Sequence, residues 1–368
     1  MAKNKKVIVV IIILAVVGGI FYFTKGRDML RSKNVKQIKI NGGNSESEAI
    51  SNTGPVSPIS GLPCENWNRR PVAVMQPADV SARPAAGFSD ADMVIEMPVI
   101  TASITRLMGV YVCGNPDDVG SMRSSRHDYI ALAKGLDAIF VHWGGSHYAI
   151  DKLNEGVIDN MNCNGDGGKS AVAYCYRKEA TGTMRGVDTG YAKFAKILEG
   201  AKDFGYRLEN KFAGYPHQNE VAAEERPTGG HLRVAYAGPF AAEYDYDKET
   251  NSYLRVWGKV ADTDRNNGKR LAPKNVVVIF AKSGQIVEGE QYNNVQIGDP
   301  WYDETDSGEA HYYMNGKEFA GTWKKDKSKL DSKLFFYNES GQEIKFVPGQ
   351  VWVDVLEPGQ ALKWTPVN

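Results

Sequence analysis

An unbroken apolar run from Val7 to Phe23 constrains this chain more than any other feature. At about 17 residues it meets the lower limit for a helix crossing the hydrocarbon core of a bilayer. Lys3, Lys5 and Lys6 precede it, and Lys25, Arg27 and Asp28 end it. A cleaved signal peptide needs small residues at a processing site, and a lipoprotein needs a cysteine just past the apolar run. The context from Gly18 to Phe23 suits cleavage poorly, and the first cysteine is Cys64. The run therefore reads as an uncleaved signal anchor over residues 7–23. Residues 1–6 form a cytoplasmic tail, and the positive flank places the body outside. This predicts a single-pass plasma membrane protein with an extracytoplasmic body. Residues 24–57 are polar, rich in Ser, Asn and Gly, and read as a flexible tether.

The cysteines agree with export. Cys64, Cys113, Cys163 and Cys175 contain no C-x-x-C pair, which argues against a zinc ribbon or a thioredoxin motif. In an oxidising compartment four cysteines read as two disulfides, with three pairings open. Cys163 and Cys175 flank the loop Asn164-Gly165-Asp166-Gly167-Gly168. Pairing them, and Cys64 with Cys113, leaves the two loops unthreaded and is the expected arrangement. Lys plus Arg (44) equal Asp plus Glu (44), so no broad basic footprint for nucleic acid exists. No motif calls for a cofactor or a metal.

Behind the anchor, two patterns follow one another. Between residues 58 and 228, short apolar runs at Arg70–Met75, Met93–Met97, Leu107–Val112 and Ala138–His142 read as strands. Arg126–Lys134, Ser146–Leu153 and Tyr191–Phe204 have helical spacing. This is an α/β domain. Residues 229–358 hold many short strand-like runs separated by turns such as Asn315-Gly316, a strong hairpin signal. That second domain is expected to be mostly β, giving an α/β plus α+β chain. Residues 359–368 read as a tail.

Several familiar motifs fail on spacing. Gly168-Lys169-Ser170 lacks the first glycine of a phosphate loop, because Cys163 stands there. Asp262, Asp264, Asn266 and Gly268 mimic a calcium loop but place the glycine one position late and end on Pro273; a polar hairpin turn is the better reading. His142 and His147 are not at i, i+4 spacing and lack a third ligand.

An arginine cluster is left. Arg106 opens a strand, and Arg123 and Arg126 lie three apart at a helix start with Ser124 between them. Guanidinium groups there suit a carboxylate or phosphate. Glu96 stands in an otherwise apolar strand, where a carboxyl either pairs with an arginine or acts as an acid with a raised pKa. Val141-His142-Trp143-Gly144-Gly145-Ser146 follows a strand, with glycines that permit close approach and a Trp that offers a stacking face. We expect Arg106, Arg123 and Arg126 to converge on one pocket, with Glu96 at its edge and His142 or Trp143 on its rim. The bland alternative is an ion-pair network of Glu96 with Arg106 or Arg123, with Asp92 and Asp128 as further partners. Two functions fit: binding of an anionic or glycan cell-wall ligand, or glycan cleavage with Glu96 as the acid. A hydrolase normally uses two carboxylates. Asp92 lies four residues before Glu96 on one strand, about 13 Å away, too far to serve as the second carboxylate. A single-acid lytic reaction would avoid that need. Of the two functions, with cleavage either lytic or hydrolytic, binding is preferred.

Ordered segments along the chain resemble the bacterial YerB-like lipoprotein family. They include Pro58–Pro63, Asn68–Met75, Ala91–Glu96, Ile104-Thr105-Arg106, Arg123-Ser124-Ser125-Arg126 and His142–Gly145. Tyr253-Leu254-Arg255, Lys274–Val278, Gly321–Lys325 and Pro348–Val353 match in the second half. The resemblance implies an exported, surface-tethered protein with an α/β part and a β-rich part, and it implies no activity. Two departures stand out. Family members carry a lipobox cysteine where this chain has an apolar anchor. Many also carry a Pro-His-Asn-like segment where this chain has Met184–Thr189.

Overall fold

The computed structural model describes residues 54–100, 104–302 and 305–367, all within one compact unit, Ser51–Asn368. The expected anchor (7–23) lies outside the described residues, as does nearly all of the tether. Among the described residues no helix is long and apolar enough to cross a membrane.

In the first half the strands are β1 (Val72–Pro77), β2 (Met93–Pro98), β3 (Thr105–Tyr111), β4 (Asp118–Gly120), β5 (Ile139–His142), β6 (Asn160–Asn162), β7 (Tyr176–Arg177) and β8 (Gly190–Lys193). The helices are α1 (His127–Gly135), α2 (His147–Asn154) and α3 (Phe194–Asp203). The second half adds β9 (Gly229–Val234), β10 (Ala242–Asp247), β11 (Ser252–Trp257), β12 (Val260–Ala261), β13 (Asn275–Phe280), β14 (Ser283–Gln285) and β15 (Asn293–Val295). It ends with β16 (Ser307–Met314), β17 (Lys317–Lys324), β18 (Phe335–Asn338), β19 (Val351–Leu356) and β20 (Leu362–Val367).

A ten-stranded mixed sheet runs in the order β18-β17-β16-β13-β19-β2-β3-β1-β5-β6. Its central strands β1, β2, β3 and β19 are buried along their whole length, because both faces are covered. One face packs against Tyr129, Ile130 and Leu132 of α1 and Ala149 and Leu153 of α2. The other packs against Phe194, Ile197 and Ala201 of α3 and against a five-stranded sheet, β12-β11-β10-β9-β20. In β10 the inward residues are Ala242, Tyr244 and Tyr246, alternating with more exposed Glu243, Asp245 and Asp247, the pattern of a sheet with one wet face.

The fold is therefore mixed α/β with a β-rich second half. The large sheet crosses the expected boundary at 229: β19 pairs in parallel with β2, Val351 opposite Met93 and Asp354 opposite Glu96. The Asn315-Gly316 turn forms the β16–β17 hairpin, with φ of 52° and 69° at the two residues, as the left-handed turn demands. Two expectations need correction. Residues 191–193 of the predicted helix belong to strand β8, because their register against Asp118–Gly120 satisfies the backbone. Residues Leu362–Val367 of the predicted tail pair along β9, burying the gap that β9 would otherwise leave at the sheet edge.

Both disulfides form in the expected pairing, Cys64–Cys113 and Cys163–Cys175, each with Cα atoms 5.7 Å apart. The calcium-like segment is a turn: Thr263 bridges Arg270, and Asp264 accepts from the N–H groups of Gly87, Ser89 and Asn266.

Candidate functional site

The strands β1, β5 and β6 are parallel, and the arginines gather at their C-terminal ends, the usual ligand edge of such sheets. Arg106 opens antiparallel β3 directly opposite Pro77, the last residue of β1. The stretch Arg123–Ser125 threads between the ends of β1 and β5. Its Arg123 N–H donates to the Met75 carbonyl, and the Trp143 N–H donates to the Arg123 carbonyl. Arg126 then caps α1.

The structure brings Arg106, Arg123 and Arg126 close together, their charges acting on one another. The Arg106 guanidinium, 7% exposed, donates to the Ser124 carbonyl at 2.8 Å. Arg126 donates to the Ser125 carbonyl at 2.8 Å and lies 5.5 Å from the Tyr292 ring centre. Arg123 pairs with Asp79 at 3.2 Å and lies 3.7 Å from Asp188. Burial, then the charges of Arg126 and Arg123, push the Arg106 pKa well below the arginine range. Burial also lowers that of Arg126. Among the described residues neither Arg106 nor Arg126 forms a salt bridge. The Nε atoms of Arg106, Arg123 and Arg126 are each buried without a hydrogen-bond partner.

Residues that sequence reasoning missed complete this cluster. Arg185 pairs with Asp188 at 2.8 Å and Asp79 at 2.9 Å, and Ser81 donates to Asp188 at 2.7 Å. Arg185 and Asp188 belong to Met184–Thr189, the stretch aligned with the family's Pro-His-Asn-like segment. That alignment was the available signal. Arg123 and Arg185 thus share two carboxylates, Asp79 and Asp188, while the Asp128 carboxylate acts on Arg126 without a salt bridge.

Glu96 is not at the edge of this cluster. Met97, not Glu96, faces the same side of the sheet as Arg106, since the register places Met97 opposite Arg106 and neighbours alternate faces. Glu96 points toward the five-stranded sheet, has no exposed surface, and pairs with Arg255 at 2.5 Å while accepting from the Thr105 hydroxyl at 2.6 Å. Arg255 also pairs with Asp262. Asp354 stands beside Glu96 and accepts from Tyr244 at 2.8 Å and Tyr236 at 3.3 Å. Burial raises the Glu96 pKa against the opposing pull of Arg255. The bland ion-pair reading had the right kind of contact and the wrong partner. Asp92 is also remote from the arginines: it accepts from Ser57, Ser60 and the N–H groups of Val112 and Cys113.

The expected rim turns away too. His142 is fully buried, with Nδ1 2.8 Å from the Gly144 carbonyl, and burial lowers its pKa. Trp143 lies over Gly190 under the Arg177 guanidinium, 4.5 Å from its ring centre. Gly144, at φ 69°, faces Asp166, and a Cβ on Gly145 would stand 2.5 Å from the Ser125 hydroxyl. The second glycine is thus required by the Arg123–Ser125 segment itself.

Residues 59–207 match the family described as "Protein of unknown function (DUF3048) N-terminal domain". Residues 232–353 match its partner, "Protein of unknown function (DUF3048) C-terminal domain". The chain belongs to the DUF3048 family. A curated relative is "Putative lipoprotein YerB" of Bacillus subtilis (strain 168), 28% identical over 305 residues, covering 82% of this chain and 86% of the relative. A crystal structure of the YerB protein from Bacillus subtilis superposes with a TM-score of 0.70 at 27% identity, covering 84% of this chain and 99% of that one. Both DUF3048 segments contribute to the arginine cluster's surroundings: Tyr292, beneath Arg126, comes from the second.

Proposed function

We propose that this DUF3048 protein is membrane-tethered, with an extracytoplasmic body that binds an anionic group of a cell-wall polymer through Arg106, Arg123 and Arg126. The observation that carries this reading is under-used cation capacity: among the described residues Arg106 and Arg126 form no salt bridge, and the Nε donors of Arg106, Arg123 and Arg126 are buried and unused. Buried cations repel unless an anion offsets them, and a phosphate or carboxylate accepts from several guanidinium groups at once. The tether rests on the Val7–Phe23 run, on disulfides suited to an oxidising compartment, and on the lipoprotein name of the Bacillus relative.

Glycan cleavage by Glu96 has weaker support. A general acid must lie within hydrogen-bond reach of the leaving oxygen, and Glu96 is enclosed by Arg255 and Thr105.

The test titrates the full-length protein in detergent with teichoic-acid fragments and with muropeptides, at two salt concentrations. Binding should weaken about tenfold or more in Arg106→Gln and Arg126→Gln, consistent with the loss of one charge-assisted bond each. Unchanged affinity in both variants would sink the assignment. A preference for the phosphate or the carboxylate ligand identifies the polymer class.

A further inference from the structure

The first turn of α1 carries a second polar cluster, one residue beyond Arg126. His127 and Asp128 meet Asn294 of β15 and Asp299 from the following loop. Around the single His127 Nε2 atom lie Asp128 Oδ1 at 3.1 Å, Asn294 Oδ1 at 3.2 Å and Asp299 Oδ2 at 3.5 Å. All four side chains are buried, and donor atoms of His127, Asp128 and Asp299 all lie within 4.8 Å of one another.

One ring nitrogen carries at most one hydrogen, so it cannot fully satisfy both Asp128 Oδ1 and Asn294 Oδ1. Asp128 Oδ1, on a residue 2% exposed, forms no hydrogen bond. The other oxygens are held in place from behind. Asn294 donates its amide Nδ2 to the Tyr302 carbonyl at 2.7 Å, which turns its Oδ1 inward. Asp299 accepts from the Trp301 N–H at 2.6 Å through Oδ1, and its Oδ2 lies 3.5 Å from His127 Nε2. Such outer contacts orient the ligands of metal sites. A cation about 2.1 Å from each donor converts the His127 Nε2–oxygen separations of 3.1–3.5 Å into nitrogen–metal–oxygen angles of about 95–113°. Those angles are close to octahedral and tetrahedral values.

We propose that His127, Asp128, Asn294 and Asp299 form a binding site for one divalent cation of the Zn2+ or Mn2+ kind. An imidazole beside three oxygens suits a first-row transition cation better than Ca2+, which takes oxygens alone. Two carboxylates balance its charge. The Tyr302 ring, 4.9 Å from the His127 ring, shields one side. A cation there fastens the 293–302 segment to the start of α1.

The test strips the full-length, untagged protein in detergent with a chelator. It then dialyses the protein against Zn2+ or Mn2+ and counts bound metal by mass spectrometry. Wild type should hold one equivalent, and Asp128→Asn and Asp299→Asn should weaken binding at least about tenfold. The exposed control Asp151→Asn should bind as wild type does. A wild-type measurement guards against misfolded variants: electron spin-echo spectra of bound Mn2+ should show one directly bonded imidazole nitrogen. No binding by wild type at millimolar cation overturns the site, leaving a His127–carboxylate ion cluster. Equal binding by both well-folded Asp variants, or absence of the nitrogen signal, overturns it equally.

Discussion

Glu96 shows how far a single residue can be read before the fold is known. A carboxyl within Met93-Val94-Ile95-Glu96-Met97 announces a buried partner, and the announcement was correct in kind. The partner, Arg255, lies 159 positions away, and nothing local in Met93–Met97 points that far. The comparable signals, Arg255 in Tyr253–Trp257 and Asp354 in Val351–Leu356, were equally visible as charges inside apolar strands. Pairing them needed the sheet order. Removing one side of a buried pair leaves an uncompensated charge. Glu96→Gln should therefore lower unfolding stability by about 3–5 kcal/mol in urea titrations, and a loss below about 0.5 kcal/mol would show the pair to be effectively solvated. Asp354 adds a pH signature. Burial and the adjacent Glu96 raise its pKa from 3.8 to about 7. The fold then holds this proton more tightly than the unfolded chain does. Its stabilising contribution is complete below about pH 4 and is lost as pH rises toward 7. The stability of Asp354→Asn relative to wild type should climb across that window and level off above it. A pH-independent difference between the two proteins would contradict this account.

At the scale of elements, the three helices and most long strands were legible because each carries its own period or a turn signal. Asn315-Gly316 is the clearest case. The short strands β4, β6, β7 and β8 were not, since two to four residues carry no period, and residues 191–193 borrowed the helical spacing of α3 beside them. The clustering of the arginines was legible in part, because Arg123 and Arg126 mark the start of α1. The direction of the β5 exit was not legible, because Gly144 and Gly145 serve a neighbouring segment rather than a ligand. That reading has a direct check. In Gly145→Ala the new methyl meets the Ser125 hydroxyl at 2.5 Å and Ile150 at 3.0 Å, which should cost about 1–3 kcal/mol. Removing the hydroxyl in a Ser125→Ala background should recover part of that loss. Additive single effects in calorimetry would mean that Gly145 is not needed by this segment.

Across the whole molecule, β19 lies between β13 and β2, so residues 351–356 close a seam whose other side is residues 93–98. A fragment ending at residue 228 leaves the β2 edge bare, and an open apolar edge invites aggregation. Residues 58–228 expressed alone should fail to give the cooperative melt of the intact chain. A melt within a few degrees of full length would show that the first half folds unaided. For a body delivered across a membrane from its N-terminal end, the seam has a temporal meaning. On the proposed topology the half nearest the bilayer emerges first and waits, with β2 half-paired, until residues 351–356 have arrived. β20 then completes the second sheet from Leu362 onward. A chain cut short during synthesis or transport would present that unpaired edge to envelope proteases, so folding itself inspects whether the whole polypeptide was delivered.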